Sequence, residues 1–159
     1  MGSPISASFA RPADTTPYGI GDLVANSTTA GSVLPLDFGS VDGVLEGLRI
    51  RKTSAGVTGA SFRLWLYAVP MIGNNSTYIS VANGDNGALS LSTLGRFVGR
   101  FTIAAMETHA ALAEAWGVMT PDDALRYLIG GQRIIGYLEA RGAYTPANAE
   151  TFEVFGVVV

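Results

Sequence analysis

Cysteine is absent from this 159-residue chain, so neither a disulfide framework nor a thiolate metal site is available to it. Lysine occurs once, at Lys52, against nine arginines, and histidine once, at His109. Charged residues make up only 14% of the sequence, where about 25% is usual for a soluble protein. A surface so poor in charge must be covered by Ser, Thr, Asn and Gly, or by another subunit. The net charge of -3 argues against nucleic acid as the main partner, because phosphate binding needs a basic surface. Nor does any apolar run approach the roughly 20 residues of a membrane-spanning helix. Residues 1–17 have no charged leader followed by an apolar stretch, so we expect a soluble, unexported chain.

Apolar residues, by contrast, are plentiful at 48%, and their spacing has a period of two. In residues 44–52, Leu48 and Ile50 point one way and Arg49 and Arg51 the other. In Ser61–Val69, Phe62, Leu64, Leu66 and Ala68 alternate with Arg63, Trp65 and Tyr67. This is the pattern of half-buried strands, and the two segments read together as a β-hairpin with one aliphatic face and one Arg/aromatic face. Further strands are predicted at Asp22–Asn26, Ser32–Phe38, Tyr78–Val81, Phe97–Ile103 and 151–159, with a hairpin formed by Arg126–Ile129 and Gln132–Arg141. Asn83-Gly84 and Asn86-Gly87 mark tight turns. Residues 1–17, interrupted by Pro4, Pro12 and Pro17, read as an N-terminal arm, in which Ile5–Ala10 has the pattern of a short strand able to lie on its own domain or on a neighbour. Ala104–Trp116, rich in Ala, Glu and Leu and followed by Gly117, reads as a short helix. Thr120-Pro121-Asp122-Asp123 offers the start of at most one further helical turn. The expected fold is all-β: a single sandwich or barrel of about eight strands over 18–159, with one short helical insertion.

Catalytic and metal-binding patterns are sparse. His109 has no nucleophile motif beside it, and the thirteen carboxylates are scattered. The one adjacent pair, Asp122-Asp123, suits the first turn of a helix, where acids complement the dipole. Asn83-Gly84-Asp85-Asn86-Gly87 carries oxygen ligands but lacks the spacing of a calcium loop, and a plain turn is the simpler reading. Asn26-Ser27-Thr28 and Asn75-Ser76-Thr77 match a glycosylation acceptor, which matters only in a secreted chain. We therefore expect no enzyme, no cofactor and no metal. The feature with functional content is the face formed by Arg49, Arg51, Arg63, Trp65 and Tyr67, residue types enriched at protein interfaces. Two readings stand side by side: that face meets a partner, or Trp65 and Tyr67 fill a second core layer under a loop. His109 and Trp116 are further interface candidates on the predicted helix.

Three segments carry a resemblance. Tyr18-Gly19-Ile20-Gly21-Asp22-Leu23-Val24-Ala25, then Phe62-Arg63-Leu64-Trp65-Leu66-Tyr67 followed by Pro70, and finally Leu138-Glu139-Ala140-Arg141-Gly142-Ala143-Tyr144-Thr145-Pro146-Ala147 occur in the order seen in small capsid-associated proteins. The chain resembles the head decoration, or cement, proteins of tailed bacteriophages. That resemblance implies a jelly-roll-like sandwich, made in the host cytoplasm, that binds the outer surface of an icosahedral shell. It would act there as a dimer or trimer, clamping neighbouring major capsid proteins without performing a reaction. The 104–116 insertion is not a standard part of that group. Two other classes compete: a phage tail, baseplate or fibre β-domain, and a carbohydrate-binding module with exposed aromatics.

Overall fold

The computed structural model of the protein describes residues 2–71, 78–92, 95–119, 127–128 and 131–159. Among these residues the regular structure is almost entirely β. The strands are β1 (Ser3–Ala10), β2 (Leu23–Val24), β3 (Leu36–Ser40), β4 (Gly43–Lys52), β5 (Phe62–Pro70), β6 (Arg96–Ile103), β7 (Glu107–His109), β8 (Leu112–Met119), β9 (Tyr127–Leu128), β10 (Gln132–Ala140) and β11 (Thr151–Val158). They form one antiparallel sheet in the order β1-β11-β4-β8-β6-β5-β10-β2, with β3 also on β10, β7 on β8 and β9 on β4. The sheet curls until β3 lies beside β1. β8 makes the bend, since Ala113–Gly117 pair with β4 while Val118 and Met119 pair with β6.

The alternation seen in the sequence selects which side chains fill the curl. Leu48 and Ile50 from β4, Phe62, Leu64 and Leu66 from β5, Phe101 and Ile103 from β6, and Phe152 and Val154 from β11 make one buried cluster. A second cluster lies on the other face of β5 and β10. There Tyr67, Val69, Ile135 and Tyr137 are roofed by Leu23, Ala25 and Ile79. β10 and the Tyr67–Val69 end of β5 are thus buried on both faces, while Arg63 and Trp65 on the outer face of β5 stay half-buried.

Several expectations change. β4 and β5 are not a hairpin: β4 pairs with β11 and β8, and β5 with β10 and β6. The nine residues between them cross the curl and are pinned at Gly59, where φ is +70° and an added Cβ would sit 2.0 Å from the Ala143 carbonyl oxygen. Residues 104–116 are not helical but form the β7–β8 hairpin, turning at Ala110, whose φ is 49°. Helix propensity differs by only a few tenths of a kcal/mol per residue, less than the ladders that β8 makes on both sides. The expected Arg126–Ile129 strand lies partly outside the described residues, and Tyr127–Leu128 pair with Gly43–Val44 of β4 rather than with β10. Ser3–Ala10, within the expected arm, pair along their full length with β11. The Thr120–Asp123 signal lies outside the described residues. No helix among the described residues is long and apolar enough to cross a membrane.

Candidate interaction surface

On the outer side of β1, β11, β4 and β8 the side chains line up in rungs. Ser8, Glu153, Arg51 and Glu114 face one another across the four strands, and Ser6, Phe155, Arg49 and Trp116 form the next row. Below them come Pro4, Val157 and Gly47. Within the first row Arg51 pairs with Glu153 at 2.5 Å, and Arg49 of the second row reaches Glu114 of the first at 3.4 Å. His109 stands 3.8 Å from Glu114. In the second row the Arg49 guanidinium lies 5.2 Å from the centre of the Phe155 ring and 5.9 Å from that of Trp116, within reach of cation–π attraction. The charges of this face are therefore largely spent on one another.

What remains is apolar and open. Trp116 is 68% exposed and Val118 69%, although large apolar side chains on a solitary soluble protein seldom gather in such patches. Between Trp116 on one side and Val157 with Pro4 on the other, a shallow groove of about 660 Å³ runs over Gly47. Its floor is low for two reasons. Gly47 contributes no side chain, and the register slips there, Val157 facing Gly47 while Val158 faces Leu45. Such a bulge sharpens the local twist and redirects a side chain; here the extra residue is Glu46, which is exposed.

The five interface residues expected from sequence do not share a face. Arg49 and Arg51 belong to the surface just described. Trp65 is half-buried on β5, its Nε1–H donating to Glu139 at 2.9 Å, with the guanidinium groups of Arg63 and Arg100 at 5.8 and 5.4 Å from its ring. Tyr67 is buried in the second cluster against Phe97. For Tyr67 the core alternative describes its position. Trp116 stands far more open than Trp65 or Tyr67, and its residue type alone marks it in the sequence as an interface candidate.

Two buried ion pairs, missed from sequence, lie elsewhere. Arg11 reaches Asp85 at 2.7 Å with both side chains fully buried. Asp85 also accepts from the Tyr18 hydroxyl at 2.6 Å and from the Ala25 amide at 2.7 Å, while Arg11 Nε donates to Tyr18. Burial raises the Asp85 carboxyl, and these donors and the Arg11 charge pull it back. The Asn83–Gly87 turn thus aims its carboxylate inward. Lys52, the sole lysine, is also fully buried, donating to Glu150 at 3.1 Å and to the carbonyls of Ser54 and Gly56. The Tyr144 hydroxyl donates to the same Glu150 carboxylate at 2.6 Å, and Tyr18 and Tyr144 stack at 6.4 Å. Among the described residues no group of three or more His, Asp or Glu is placed to hold a metal ion.

The three segments that carry the resemblance converge here. Tyr18 donates its amide to Tyr144, Leu23–Val24 pair with Leu138–Glu139, and Phe62 stands edge-on to Tyr144. They build the frame of the fold rather than its outer surface. No protein-family model matches the sequence, and no curated protein matches it.

Proposed function

We propose that the protein is a structural component of a phage head, of the jelly-roll-like decoration type, that docks on the outer surface of the shell and clamps neighbouring major capsid proteins. The observation that carries this reading is the open Trp116–Val118–Val157 surface, most of whose charges are already paired within the chain. Trp is among the residues most enriched where binding energy concentrates, and an apolar face with no excess of positive charge favours a protein surface over a polyanion.

The size of the face supports a repeated partner. Four strands about 4.8 Å apart and about 27 Å long offer roughly 500 Å², below the roughly 800 Å² per partner of a standard stable interface. A contact of that size is weak alone and becomes firm when one molecule touches several shell subunits at once. The phage-specific part of the reading comes from the three resembling segments.

The test is co-sedimentation with purified shells lacking this protein, together with its copy number per major capsid protein in intact particles. Near-stoichiometric occupancy, with binding weakened by Trp116→Ala at unchanged melting temperature, is the expected result. A handful of copies would assign the protein to tail, baseplate or fibre. Absence from particles would overturn the virion reading.

A further inference from the structure

We infer that the groove over Gly47 is a docking site, and that its occupant is a protein segment presenting an aliphatic or aromatic residue directly beside a lysine or arginine. This rests on the reading of the Trp116 face as a docking surface and adds the chemistry of what docks. Two observations carry it, the shape of the groove and the one charge left over around it.

The groove is built into the sheet. Gly47 points outward, and a Cβ placed on it would meet only the Trp116 ring, at 3.7 Å. Nothing in the packing of the fold therefore requires glycine there; its φ is not in the left-handed region. What glycine provides is the space, walled by Trp116 and Val157 and closed at one end by Pro4. That space is largely apolar and open to solvent, and it spans the width of β4 between its two neighbours, β8 and β11. The charge is equally local. Arg49, Arg51, Glu114 and Glu153 pair among themselves, whereas Glu46, lifted out by the bulge at the rim of the groove, makes no ion pair among the described residues. A cation on the partner, one residue from the side chain that enters the groove, complements it.

Gly47→Val is the test variant, since valine suits a strand, its Cβ makes only an ordinary contact with the Trp116 ring, and its methyl groups take up space on the floor of the groove. The probe is the dipeptide Ac-Leu-Lys-NH2, titrated into the isotope-labelled protein while the Trp116 indole N–H resonance is followed. Saturable shifts are expected at a Kd on the order of 1 mM, as befits so small a ligand. Gly47→Val should weaken binding about tenfold or more. Glu46→Gln should weaken it about threefold, as for an exposed ion pair, and Ac-Leu-Glu-NH2 should bind less well than Ac-Leu-Lys-NH2. No shift at Trp116, equal binding of the two dipeptides, or an unaffected Gly47→Val overturns the inference. So does saturable binding of cellobiose at the same resonance, or self-association in sedimentation velocity that Gly47→Val abolishes; these would name a glycan or a second copy as the occupant. Shell co-sedimentation of Gly47→Val separates this from the capsid reading: retained binding with a failed dipeptide titration leaves the capsid reading standing. Dipeptide binding without shell binding does the reverse.

Discussion

Replacing Lys52 by methionine is the sharpest test of how this fold is held. Both Lys52 and Glu150 are fully buried, and the ammonium supplies hydrogen bonds to Glu150 and to the carbonyls of Ser54 and Gly56. Burial alone lowers the lysine pKa, and the Glu150 carboxylate opposes that shift. Methionine fills nearly the same volume, so the cavity cost is small, but it leaves a buried carboxylate bonded only to the Tyr144 hydroxyl. Breaking one side of a buried pair costs about 3–5 kcal/mol. With a urea m-value of about 2 kcal/mol/M, the midpoint of unfolding should fall by about 2 M. The double variant Lys52→Met/Glu150→Gln removes the orphaned charge, and should recover at least about 2 kcal/mol of that loss as a coupling energy. The assay is equilibrium urea unfolding of the four members of the cycle, followed by tryptophan fluorescence. A single-variant cost under about 1 kcal/mol, or additive effects, would refute the claim that this pair is a locked unit.

Alkaline stability follows from the buried phenols. Burial pushes Tyr137 up to about 12 and raises Tyr18 and Tyr144 further. Unfolded tyrosine titrates near pH 10, so the stability these groups confer is fully present below about pH 10. It falls by about 1.4 kcal/mol per pH unit for each phenol above it. Lys52, shifted downward, acts in the opposite sense just below its ordinary value, so the net loss should set in above about pH 10.5; urea midpoints that stay flat up to about pH 11.5 would contradict this. Tyr67→Ala should cost about 3–5 kcal/mol by opening the second cluster, measured by thermal unfolding. Deleting residues 2–10 should abolish cooperative unfolding, because β1 covers the full edge of β11; a sharp thermal transition in the truncated protein would show otherwise.

The segments whose burial differs between their two faces were legible in the sequence. Leu48 and Ile50, Phe62 to Ala68, Phe97 to Ile103 and Phe152 to Val158 all lie on strands, because alternation records which side faces the core. Partners were not legible, since period two says nothing about which strand lies alongside; hence the mistaken β4–β5 hairpin. Residues 104–116 were misread because Ala, Glu and Leu favour a helix locally, while the burial of Ala113 and the ladder to β4 are tertiary facts. The interior ion pairs join residues far apart in sequence, Arg11 with Asp85 and Lys52 with Glu150. One of them did leave a trace. Lys52 continues the Leu48–Ile50 spacing and so falls on the inward face, where a lone lysine requires a buried acid. Trp116 shows the opposite limit, for the sequence marked it as an interface type without saying how open it stands.

The pairing of β1 with β11 has a consequence for how the chain comes to be folded. Strand β1 has β11 as its ladder partner, Ser3 opposite Val158, so this ladder cannot close until the residues between the two strands have emerged. Closure entropy for such a contact must be met before the contact rewards it, and topologies dominated by distant pairings fold in roughly milliseconds to seconds. Until then β1 has no sheet to join. The Pro4 ring and the alternating serines of β1 suit that interval, because a proline and small polar side chains make a poor template for pairing with another nascent chain.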